Sequence, residues 1–195
     1  MATTATPSGA EPVNTLSASG SFSGKVRHIK IASNYGTAIF YGDFVKLVAA
    51  GTVEKAAVTT AVVAGTVGIF MGCSFTDPTT SQLTFSQHYP ASTVASDIVA
   101  LVCDDPKLLF LMQGDEAIAQ TGLGNNVSAV NTAGSTSIGR SRNALDGGSI
   151  ATTNSLPLRI VDFVDGPTSS VGDAFTDCIV TYLPLSHAYE TKLGV

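Results

Sequence analysis

The stretch Lys25 to Val48, KVRHIKIASNYGTAIFYGDFVKLV, reads as three short β-strands separated by two turns. Lys25 to Ala32 and Thr37 to Tyr41 flank Ser33-Asn34-Tyr35-Gly36, and Phe44 to Val48 follows Gly42-Asp43, so β-branched and aromatic runs alternate with the residues that reverse a chain. The same rhythm continues outward. Val58 to Val63, Thr66 to Phe75, Gln82 to Gln87, Ile98 to Cys103 and Lys107 to Gln113 are further strand-like runs, and Leu156 to Val164 and Ala174 to Leu185 restore the pattern near the end. Between Gly51 and Val63 the alanines allow a helix, but Val53, Val58, Thr59, Thr60, Val62 and Val63 favour a strand.

Composition points the same way. The 195 residues include 20 serines, 23 threonines, 19 glycines and 19 valines, while Lys, Arg and Glu are scarce, which predicts an all-β chain. With no Trp and only 14 Tyr and Phe, the core has to be made from Val, Ile, Leu and Ala. A length of 195 residues fits one ordinary domain, and 44% hydrophobic residues with a mean hydropathy of +0.29 give it enough apolar surface to fold. Charged residues are only 13% against a norm of about 25%. The net charge of −5 has the wrong sign for a protein that binds by neutralising phosphates, so no nucleic-acid partner is expected.

Residues 1–24, MATTATPSGAEPVNTLSASGSFSG, carry few apolar side chains and predict a flexible N-terminal arm, disordered alone or ordered by a partner, ahead of a β-rich body over 25–195. Deleting the arm is then expected to leave the body folded. Gly114 to Ser155 is dense in Gly, Asn, Ser and Thr and predicts a loop-rich subdomain; His187 to Val195 reads as a small helical turn or a second arm. The longest apolar run, Ala56 to Phe70, is broken by Thr59, Thr60, Gly65, Thr66 and Gly68, and the N-terminus has no basic-then-apolar signal, so neither membrane insertion nor export is expected.

Side chains capable of chemistry are scattered. Cys73, Cys103 and Cys178 are an odd set without a CxxC pair and read as reduced, half-buried core residues. Asp104-Asp105 precedes Pro106, which suits a turn better than two carboxylates converging on one bond. Ser86 and His88 share a strand face and, with Cys73, define a weak hydrolase reading, but Gly72-Cys73-Ser74 lacks the closing glycine of a nucleophile elbow. His28, His88 and His187 are isolated, and Gly122-Leu123-Gly124 has no GxGxxG continuation, so no catalytic residues, metal or cofactor are expected. The dense positive patch is Lys25, Arg27, His28 and Lys30. Strand alternation puts Lys25, Arg27 and Ile29 on one face and Val26, His28 and Lys30 on the other. It reads either as a solvated edge strand or as a dock for an acidic protein surface, with Phe22 of the arm beside it.

Three runs have a recognisable pattern: Gly68 to Asp77 (GIFMGCSFTD), Phe85 to Pro90 (FSQHYP), and the strand ending in Asp104-Asp105-Pro106. Together with Ile138-Gly139-Arg140-Ser141, Leu145-Asp146 and Leu158-Arg159-Ile160-Val161, they resemble the capsid decoration, or cement, proteins of tailed bacteriophages, over roughly residues 39–184. The chain is considerably longer than the simplest lambda-type head decoration protein. The resemblance implies a β-barrel- or β-sandwich-rich fold and a non-enzymatic virion protein, a homotrimer on the outer capsid surface that clamps neighbouring capsomers of the major capsid protein. Phe22, Lys25, Arg27 and Lys30 would then be capsid contacts. The alternative is a head-fibre or tail adhesin that binds a host glycan through loops such as Asn125 to Ser137, although that loop lacks aromatic side chains.

Overall fold

The computed structural model describes residues 4–17, 24–59 and 65–191, apart from the side chain of Leu185. Within them the chain forms strands β1 (Glu11–Thr15), β2 (Arg27–Lys30), β3 (Ile39–Phe40), β4 (Phe44–Leu47), β5 (Val53–Lys55), β6 (Thr66–Thr76) and β7 (Leu83–Ser86). It continues through β8 (His88–Tyr89), β9 (Val99–Cys103), β10 (Leu108–Gln113), β11 (Asn126–Val130), β12 (Ala144–Ala151), β13 (Leu158–Phe163) and β14 (Asp177–Tyr182). Only two 3-10 turns, Gln120–Gly122 and Pro184–Ser186, interrupt this all-β pattern among the described residues. The all-β expectation holds.

The strands make two antiparallel sheets in a sandwich-like arrangement. One runs β1-β10-β14-β13-β11-β12; the other runs β2-β9-β6-β4-β5, with β7 added to β6, and a small β3-β8 pair stands beside it. Neither closes into a barrel among the described residues. Each has six strands, but only the first is an unbranched six-stranded sheet, and it comes nearest: it curls until Gly114 and Leu145 form one parallel bridge and the Asp115 N–H donates to the Leu145 carbonyl at 2.9 Å.

Adjacent residues of the second sheet divide between two cores. Phe44 and Ile69 face the six-stranded sheet and pack with Phe110, Val127, Leu158, Val180 and Tyr182, the Phe44 and Phe110 rings meeting edge-on at 5.7 Å. Their neighbours Val45 and Phe70 face the other way, into a core closed by Ile31, Ile39, Tyr89 and Ile98. Because both of its faces are covered, β6 is buried almost throughout, which explains its near-continuous apolar sequence. Two glycines let it run there. A Cβ on Gly68 would stand 2.1 Å from the Cys103 carbonyl oxygen, and Gly72, at the bulge against β9, has φ +134°, a conformation side chains avoid.

Two expectations about organisation are corrected. Part of the supposed arm is a strand of the body: β1 pairs with β10 from Glu11↔Leu111 to Thr15↔Leu108, Ala10 is fully buried, and the Ala10 N–H donates to the Gly42 carbonyl at 2.9 Å. Backbone pairing to an apolar neighbour supplies what its small side chains cannot. Deleting residues 1–24 therefore removes part of the sheet. Residues 114–155 are not a separate subdomain either, because β11 and β12 complete the six-stranded sheet and Val127, Ala129 and Leu145 belong to the shared core. After the Pro184–Ser186 turn, His187 is buried and the chain turns again through Glu190.

Candidate contact surface

The basic patch lies on β2, an edge strand of its sheet. The inward face carries Ile29 and then Ile31 into the second core, while His28 and Lys30 are exposed, so the expected alternation is present. Lys25 is exposed just ahead of the strand. Arg27 is already engaged: its Nε lies 2.6 Å from the buried Asp104 carboxylate and its guanidinium stands 5.4 Å from the centre of the Tyr189 ring. The three sites are thus brought together on one edge, with Lys25 and Lys30 in solvent and Arg27 tying the edge to the C-terminal turn. Phe22 lies outside the described residues.

The residues considered for chemistry are held by backbone. Ser86 Oγ donates to the carbonyl of His88 at 2.6 Å, whereas the His88 imidazole stacks on Phe40 with centroids 5.5 Å apart, so the two side chains do not form a nucleophile-base pair. Cys73, Cys103 and Cys178 are fully buried rather than half-buried, and burial raises their thiols to about 12, 11 and 12. Asp104 turns to Arg27 and accepts from Tyr189 Oη at 3.1 Å. Asp105 makes the expected turn, accepting the Lys107 N–H at 2.8 Å, and its other oxygen takes Thr15 Oγ1. The two carboxylates diverge. Among the described residues no group of three His, Cys, Asp or Glu side chains is placed to hold a metal ion, and no helix is long and apolar enough to cross a membrane.

Two features were not visible from the sequence. The first is the reversed alternation of β7. Leu83 and Phe85 point outward and are 61% and 75% exposed, while Thr84 and Ser86 face inward, the reverse of the usual arrangement. The hydrogen bond from Ser86 Oγ to His88 helps fix that register. The row runs on toward exposed Gln87, whose Cβ lies 3.0 Å from where a Cβ on Gly139 would stand, and Gly139 is preceded by exposed Ile138. The Tyr41 N–H is shared between the Gln87 and Gly139 carbonyls, at 3.0 and 3.1 Å, which holds these segments side by side.

The second is a buried polar cluster around Asp43, which is wholly inaccessible. Its Oδ1 accepts from Ser141 Oγ at 2.7 Å and from Asn143 Nδ2 at 3.1 Å; its Oδ2 accepts the Phe40 N–H at 2.9 Å and pairs with Lys55 Nζ at 2.8 Å. Asn143, also inaccessible, accepts the Thr132 N–H on Oδ1 at 3.0 Å. The Lys55 side chain is 17% exposed, with Nζ 5.9 Å from the centre of the Phe40 ring. Positions 43, 55, 132, 141 and 143 are too scattered to form a motif; only the fold brings them together. Comparison of the chain with protein-family models, with curated proteins and with solved structures finds no match in any of the three.

Proposed function

We propose that this protein works by surface contact, as a capsid decoration protein that binds the outside of a tailed-phage shell and braces the joints between capsomers of the major capsid protein. The observation that carries the reading is the outward row of Leu83 and Phe85 on β7, continued by Ile138. Apolar side chains presented to solvent from a strand that has a core available on its other side make sense when another protein covers them. Phe85 opens the FSQHYP run and Ile138 opens the IGRS run, so two of the stretches that resemble decoration proteins lie side by side on this surface. Low charge suits a surface whose main contribution is apolar burial. Lys25 just ahead of β2 and Lys30 at its end would supply an auxiliary contact to acidic capsid residues, with Phe22 nearby in the chain. Assembly as a homotrimer would let one unit engage several capsomers, so that modest affinity at each contact adds up.

The test is co-sedimentation with capsids of the virus whose genome carries the chain. The unsubstituted protein is expected to pellet with the shells at a fixed stoichiometry. Leu83→Ser with Phe85→Ser should cost about 2 kcal/mol, roughly thirtyfold in affinity, with little change in thermal stability because both side chains are exposed. Shells that bind the doubly substituted protein as tightly as the original would overturn the role of β7. A protein that ignores the shells altogether would overturn the reading as a whole.

A further inference from the structure

The Asp43 cluster does more than satisfy a buried charge. A lysine amine and an asparagine carboxamide are held by the two oxygens of one inaccessible carboxylate, and the carboxamide oxygen has its own backbone donor in Thr132. The Asn143 orientation is fixed by its partners: turned over, it would put an oxygen against the carboxylate and an NH2 group against the Thr132 N–H. Asn143 Nδ2 helps satisfy the buried carboxylate, as Ser141 Oγ does, but unlike the serine it also brings an electrophilic carbon to the group that holds the lysine amine. An amine, an amide with a polarised carbonyl, and a proton carrier between them are the groups needed for acyl transfer.

We propose that the chain cross-links itself, joining Lys55 Nζ to Asn143 Cγ in an amide bond with Asp43 carrying the protons. Asp43 takes a proton from the Lys55 ammonium, and the free amine attacks Cγ while the Thr132 N–H stabilises charge on Oδ1. Protonated Asp43 delivers its proton to Nδ2, the Cγ–Nδ2 bond breaks and ammonia leaves. Asp43 then takes the surplus proton from the new amide nitrogen and passes it out with the ammonia as ammonium. One C–N bond forms, one breaks, and nothing is oxidised or reduced. Ser141 Oγ and the Phe40 N–H hold the carboxylate in place, and the Phe40 ring covers one side of the amine. Fixed positions around a carboxylate and a carboxamide that are both inaccessible give an otherwise sluggish amide exchange a high effective concentration of amine.

The bond would have a structural purpose. Lys55 is the last residue of β5, an edge of the second sheet, and Asn143 immediately precedes β12, an edge of the six-stranded sheet. It would tie the two sheets together covalently, beside the backbone bridge of Tyr41 with Arg140. This inference does not depend on what the outer surface binds.

Mass spectrometry of the denatured full chain, held after purification until its mass stops changing, tests it. The chain should be lighter than its sequence by one ammonia, and a protease digest should yield the peptides containing Lys55 and Asn143 as one branched species. Lys55→Arg keeps the charge of the ion pair but supplies no nucleophilic amine, so that variant should show its full sequence mass and a lower melting temperature. Full mass in the unsubstituted chain would overturn the proposal. So would loss of water instead of ammonia, which would join Lys55 to Asp43, or an ammonia deficit that persists in Lys55→Arg, which would mean that Asn143 had cyclised on its own backbone. The peptide map of the unsubstituted chain decides the question even if Lys55→Arg does not fold.

Discussion

His187 is fully buried between Tyr182 and Tyr189, with ring centroids 5.2 Å away on each side. Burial lowers its pKa below the ordinary 6.5, against the raising effects of a backbone contact at Val67 and of Glu190, Asp104 and Asp105 nearby. The fold therefore favours neutral His187, while the unfolded chain takes up a proton below pH 6.5. Its contribution is complete above that pH and declines as pH falls toward the folded value, at no more than about 1.4 kcal/mol per pH unit. Urea unfolding between pH 7.5 and 5.5 should show this slope, and His187→Phe should flatten it; an unchanged slope would place its origin elsewhere. From sequence, His187 was one of three isolated histidines, because its burial is created by residues far away in the chain. The cysteines were easier to place. Isolated thiols in β-branched runs pointed to core positions, and only their degree of burial was underestimated.

Strands held by local preference were legible; those held by a partner were not. β6, β9 and β10 follow from runs such as Thr66 to Phe75 because β-branched and apolar side chains suit a strand wherever it packs. β1, EPVNT, contains a proline and three polar residues, and β12, ALDGGSIA, contains two glycines; both are strands because of what lies beside them. β7 shows the other limit. Its alternating sequence announced a strand, but period alone does not say which face is inside, and the structure turns the apolar one out. The correction at β1 changes the expected result of truncation. Removing residues 1–17 takes away the β1–β10 ladder and the buried Ala10, and at about 0.5–1.5 kcal/mol net per ladder hydrogen bond it should cost at least about 2 kcal/mol. For a chain of this size that is a drop of roughly 4–8 °C in Tm, measurable by circular dichroism. A truncated protein that melts with the full chain would restore the independent arm.

The two sheets share the core of Phe44, Ile69, Phe110, Val127 and Tyr182, and residues 114–155 are built into it, so unfolding should be a single cooperative event. Calorimetry should give one transition whose calorimetric and van't Hoff enthalpies agree; a separate early transition would mark 114–155 as a subdomain after all. The docking of β1 also decides how the chain behaves at high concentration. β10 reads LLFLMQ, six uncharged residues without Gly or Pro, the kind of segment that stacks into fibrils when its edge is bare. β1 occupies that edge with Glu11, Pro12 and a bulge between Pro12 and Asn14, a combination that offers the next chain a poor template. A protease that clips this short strip would do more than shorten the protein: it would bare the backbone of an uncharged, apolar strand, the kind of edge from which amyloid grows.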